Sequence, residues 1–112
     1  MNQKSKASVL LLSLALSGNS LAACEGMTAH ARVKATQLVE RDFGPAIAKR
    51  CFQGIRQLNT LPVGLGNKPG SLHLLAFDPR VCPVSGIFSV IYAQDRGACV
   101  FVSATRGFDD RN

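Results

Sequence analysis

Four cysteines, at positions 24, 51, 82 and 99, constrain this chain more than any other feature. They lie 27, 31 and 17 residues apart, and no CxxC, CxxH or HxxxH spacing exists that would chelate zinc. A scattered, even set of cysteines reads as a disulfide framework wherever the surroundings are oxidising. The N-terminus decides which surroundings this chain meets.

Met1-Asn2-Gln3-Lys4-Ser5-Lys6 is a basic opening, residues 7–16 form an apolar run interrupted only by Ser8 and Ser13, and Leu21-Ala22-Ala23 ends in small residues. A helix needs ~20 apolar residues to cross a bilayer. This run has ten, which makes residues 1–23 a cleaved secretory signal peptide rather than an anchor. Its end, Leu21-Ala22-Ala23-Cys24, resembles the lipobox of bacterial lipoproteins: a leucine, two small residues and the cysteine that takes the lipid. The resemblance implies a diacylglyceryl thioether on Cys24 and a bacterial envelope address, with Glu25 favouring the outer membrane. Ordinary cleavage after Ala22 or Ala23 is the competing reading, since Ser20-Leu21-Ala22 fits a small-x-small site. Both routes deliver the chain to the periplasm, where thiols pair.

Signal removal leaves residues 24–112, an 89-residue chain with 11 Lys and Arg against 7 Asp and Glu, about +4. One small domain is all that length holds. The composition excludes a multidomain enzyme, a repetitive polymer and a multispanning membrane protein. If Cys24 carries lipid, one cysteine pair and one free thiol remain; if it does not, four cysteines pair in one of three ways. Each bridge in so thin a core contributes about 2–4 kcal/mol. The connection carrying Cys82 leads into the hairpin expected to carry Cys99, which favours Cys82–Cys99, with Cys24–Cys51 as the second pair if Cys24 is free.

Residues 28–42 place Ala31, Ala35, Leu38 and Val39 at helical spacing, with Thr28 as N-cap. Gly44-Pro45 interrupts that helix, and a second helix or kinked continuation is expected over 45–58, where Ile47, Cys51, Ile55 and Leu58 share a stripe. Residues 59–70, with two Pro and three Gly, read as a loop. Strands are expected at 71–77, 87–94 and 98–105, the last two joined by a hairpin turn at Asp95-Arg96-Gly97. Residues 106–112 read as a flexible tail. This order predicts an α+β domain, an N-terminal helix or kinked helix pair packed on a three-stranded antiparallel meander.

No constellation for chemistry emerges. His30 and His73 are the only imidazoles, and both read as rim histidines because no cysteine has a nucleophile motif around it. No G-x-S-x-G elbow exists, and the Gly64–Gly70 segment carries Pro69 where a phosphate loop needs Ser or Thr. No catalytic residue, cofactor, metal or small-molecule substrate is therefore expected. Lys34, Arg41, Lys49, Arg50 and Arg56 gather on the helical half and favour acidic partners. Nucleic acid is disfavoured by export and by the lack of aromatics among those cations. The expectation is a small exported bacterial envelope protein acting by non-enzymatic protein binding, as inhibitors, immunity proteins and exclusion factors do. Its contact surface would be that basic face or the 59–70 segment. The alternative is an accessory, lipid-anchored subunit of an envelope secretion, conjugation or pilus machine.

Overall fold

The computed structural model describes residues 23–107 of the chain. Apart from Ala23, the expected signal peptide falls outside the described residues, as do positions 108–112. A short 3-10 turn, Glu25–Met27, leads into helix α1, Thr28–Phe43. Thr28 lies inside the first turn of α1, its Oγ1 donating to the Glu25 carbonyl at 3.4 Å, rather than capping it. Ala31, Ala35 and Val39 recur every fourth residue and form the buried stripe of α1. Gly44, at φ +93, ends α1, and its amide closes on the Glu40 carbonyl. Pro45 then opens helix α2, Pro45–Phe52, where its fixed φ fits and its missing N–H costs nothing.

Four strands follow, not three: β1 Ile55–Leu65, β2 Lys68–Phe77, β3 Ile87–Asp95 and β4 Ala98–Gly107. They form one antiparallel sheet in the order β1-β2-β3-β4. The helices cover one of its faces, giving a two-layer α+β domain. The added strand corrects two expectations. The second helix stops at Phe52, because Gly54 folds back on Cys51 (N to O 2.9 Å) and its own carbonyl accepts from Asp78 at 2.8 Å. Glycine is required there, since a Cβ would lie 2.1 Å from Val81 Cγ2. Ile55 and Leu58, expected on a helical stripe, are instead strand residues, and Leu58 is exposed.

The 59–70 segment is not a loop but most of the β1–β2 hairpin. Its turn is only Gly66-Asn67, between the paired Leu65 and Lys68. The prolines that suggested a loop occupy tolerated places. Pro62 lies in the edge strand β1, and Pro69 precedes Gly70, where the ladder to β3 begins. The β3–β4 turn is as expected: Arg96 and Gly97 both have positive φ, 54° and 81°, which suits a right-twisted hairpin. Strand β4 runs on through Arg106 and Gly107.

Two disulfides tie the layers, with a connectivity opposite to the expected one. Cys24 pairs with Cys99, and Cys51 with Cys82. The reason is strand length. Cys99 faces Gln94 beside the β3–β4 turn, whereas the 78–86 connection carrying Cys82 enters the sheet at Ile87, opposite Gly107. Nine residues of β3, at ~3.3 Å each, hold Cys82 and Cys99 at opposite ends of the sheet. The 16 residues of α1, at ~1.5 Å each, likewise separate Cys24 from Cys51. Cys51 lies on the buried side of α2, as its spacing with Ile47 indicates.

Candidate functional site

The two faces of the sheet are chemically unlike. Strand partners share a face, so the register sorts the side chains. Under the helices lie Leu75 and Phe77 of β2 and Phe88, Val90 and Tyr92 of β3, all buried, with the Phe77 and Phe88 rings edge to face at 5.0 Å. Two polar side chains, Ser71 and His73, are also fully buried on this face.

Those polar groups form a connected set. The Ser71 hydroxyl donates to the Cys24 carbonyl at 3.2 Å, and its oxygen lies 2.9 Å from His73 Nε2. With the hydroxyl proton given to Cys24, Ser71 accepts, so His73 Nε2 carries the hydrogen and Nδ1 faces the Gln57 amide at 3.5 Å. Burial lowers the His73 pKa below the usual 6.5, in keeping with a neutral ring. The Tyr92 ring stands edge-on between His73 and His30, and its hydroxyl bonds His30 Nδ1. Burial pushes the Tyr92 pKa up to about 12.

A serine beside a histidine invites comparison with a nucleophile and its base, but two features differ. The hydroxyl proton is directed at a backbone carbonyl, and among the described residues no carboxylate orients the ring. What the set does is hold the N-terminal turn on the sheet, beside the Cys24–Cys99 bridge. His30 and His73 are thus not a pair of rim residues: His73 is in the core, and only His30 is exposed. Alternation along 71–77 carried the signal that would have found it, since His73 shares a face with Leu75 and Phe77. Among the described residues no three His, Cys, Asp or Glu side chains come together as metal ligands. Among the same residues no helix is long and apolar enough to cross a membrane.

The five expected partner-binding cations separate into three places. Lys34 and Arg41 line a groove between α1 and β4, about 430 Å³ in volume, with Gln37, Leu38, Phe101 and Ser103. Lys34 Nζ sits 4.4 Å from the Phe101 ring centroid, and Arg41 is paired with its neighbour Asp42 at 3.0 Å. Lys49 lies in a second depression of similar size, about 440 Å³, between α1 and α2 with Glu40 and Phe52, and Arg50 is exposed on α2. Arg56 is on β1 opposite Ala76, on the other side of the sheet. Beside the groove, β4 is an edge strand in which Val100, Phe101 and Val102 are all exposed. An edge strand presents unpaired backbone donors and acceptors, the template on which an extended segment docks.

Comparison with known protein families, with curated proteins and with solved structures yields no match.

Proposed function

We propose that this is an exported bacterial envelope protein that acts by non-enzymatic binding of another protein, of the inhibitor, immunity or exclusion type. The observation that carries the reading is the open β4 edge beside a groove lined by Lys34, Arg41 and Phe101. An extended acidic segment would extend the sheet at β4 through main-chain hydrogen bonds and set its carboxylates against the two cations. Export is supported by the two disulfides, which persist where thiols are not kept reduced. Cys24 is proposed to belong to the fold rather than to a lipid, because a sulfur bonded to Cys99 has no valence for a thioether.

The test is chemical cross-linking of the mature protein to its host's envelope fraction, run in parallel with Lys34→Glu/Arg41→Glu. The reading expects one discrete partner in stoichiometric complex, lost at least ~10-fold in the charge-reversed variant. Co-fractionation with a megadalton assembly would favour the subunit alternative, and absence of any partner would overturn both.

A further inference from the structure

The face of the sheet turned away from the helices has an apolar middle that no helix covers. Following the register, Leu61, Leu72, Ile91 and Ser103 form one cross-strand row on it, and Val63, Gly70, Ala93 and Val100 form the next. Leu65 flanks them on one side, and Leu74 lies on the other in a row with the polar Asn59, Ser89 and Thr105. Leu61 is 38% exposed and Val100 44%, although an antiparallel sheet with one covered face ordinarily alternates apolar-in with polar-out. The charged groups on this face stand at its ends: the Lys68–Asp95 ion pair, 3.5 Å, near the hairpin turns, and Arg56 at the other end.

We propose that a second copy of this chain occupies this face, sheet against sheet. Charge distribution selects that occupant. Arg32, Lys34, Arg41, Lys49 and Arg50 all lie on the helical layer, so two copies meeting through their sheets keep those like charges on the outside of the pair. An anionic membrane would need several cations ringing the apolar patch, and here Lys68 is paired with Asp95 and Arg56 stands at the far end. A strongly charged partner would find no complementary charge in the centre of the patch. An apolar centre with polar ends is self-complementary, as a two-fold interface requires. Strands of nine to eleven residues give a face roughly 30 by 19 Å, about 1,100 Å² over two copies at ordinary strand spacings. That is just under the ~1,200 Å² at which standard interfaces begin, the size class of weak, reversible pairs. The inference does not depend on the β4 groove.

Sedimentation velocity of the oxidised mature protein, from about 1 to about 200 µM, tests it. A concentration-dependent dimer is expected, and Leu61→Lys or Ile91→Lys raises its dissociation constant at least ~10-fold. Arg32→Glu, exposed on the helical layer, leaves it unchanged. Val100→Thr, a mild change at a half-exposed site, weakens the dimer in the same direction, and far-UV circular dichroism confirms that each variant is folded. A monomer throughout the range, a dimer indifferent to Leu61→Lys and Ile91→Lys, or a monomer that floats with phospholipid vesicles would each overturn the proposal.

Discussion

The two faces of the sheet invert a familiar arrangement. The covered face holds a buried serine, a histidine and a tyrosine hydroxyl among its apolar groups, while the middle of the other face is lined by leucine, isoleucine and valine with polar residues toward its ends. The difference separates two jobs. Polar groups on the covered face hold the N-terminal turn in place, through Ser71 to the Cys24 carbonyl and Tyr92 to His30. Apolar groups on the bare face are only partly covered, by their strand neighbours, so each contributes less to the isolated fold than one under the helices. A surface of that kind marks an interaction site more often than a structural one.

Matched substitutions expose the contrast most strongly. Phe88→Ala on the covered face removes a fully buried ring and is expected to cost about 3–5 kcal/mol by urea unfolding. Leu74→Ala on the bare face is expected to cost under about 1 kcal/mol, because the site opens to water rather than to a cavity. Equal costs would end the distinction.

Next in size is the staple that fixes the polar set. Replacing both Cys24 and Cys99 by Ala opens a link spanning 75 residues and is expected to cost about 2–4 kcal/mol in the melting transition. The same double change also frees the Cys24 carbonyl from Ser71, so it should raise hydrogen exchange at the 3-10 turn before it affects β2.

Smaller again is the acid response. The His73 pKa is lowered by burial, so the unfolded chain takes up a proton before the folded one does. Stability is therefore complete above about 6.5 and declines as pH falls below it. His73→Gln removes that titration, and its melting temperature should be flatter than wild type between pH 7 and pH 5. At the alkaline end the sign reverses. Tyr92 is held protonated to about 12, so stability falls as pH rises above 10, the ordinary tyrosine value. Tyr92→Phe abolishes this alkaline loss and, by removing one hydrogen bond to His30, costs about 1 kcal/mol at neutral pH.

Much of the fold was legible in the sequence, for identifiable reasons. Ala31, Ala35 and Val39 mark helix α1 at their spacing, the β-branched and aromatic residues of 87–94 mark β3, and the Asp95-Arg96-Gly97 turn marks its pairing with β4. What was hidden was β1, where Cys51, Ile55 and Leu58 happen to fall at helical spacing across a helix end. Gly54 is the residue that breaks the pattern, and its necessity comes from Val81, a contact no local window contains. The connection carrying Cys82 leads into the β3–β4 hairpin and so suggests Cys82–Cys99, but the length of β3 places those cysteines at opposite ends of the sheet. The basic residues form a group in sequence, yet only Lys34 and Arg41 share a groove. The bare face is hidden in the sequence because Leu61, Val63 and Leu65 lie in a segment whose Pro and Gly content suggests a loop.

The place of Cys24 is the pivot: its bond to Cys99 locks the N-terminal turn onto the covered face, and on that bond rests the proposal that Cys24 carries no lipid. The direct test is the intact mass of the mature protein from the host envelope, followed by a non-reducing peptide map. The expected result is an unmodified chain starting at or just before Cys24, four hydrogens lighter than its reduced form, with peptides linked Cys24–Cys99 and Cys51–Cys82. A lipid increment on Cys24, or any other linkage of that cysteine, would contradict it.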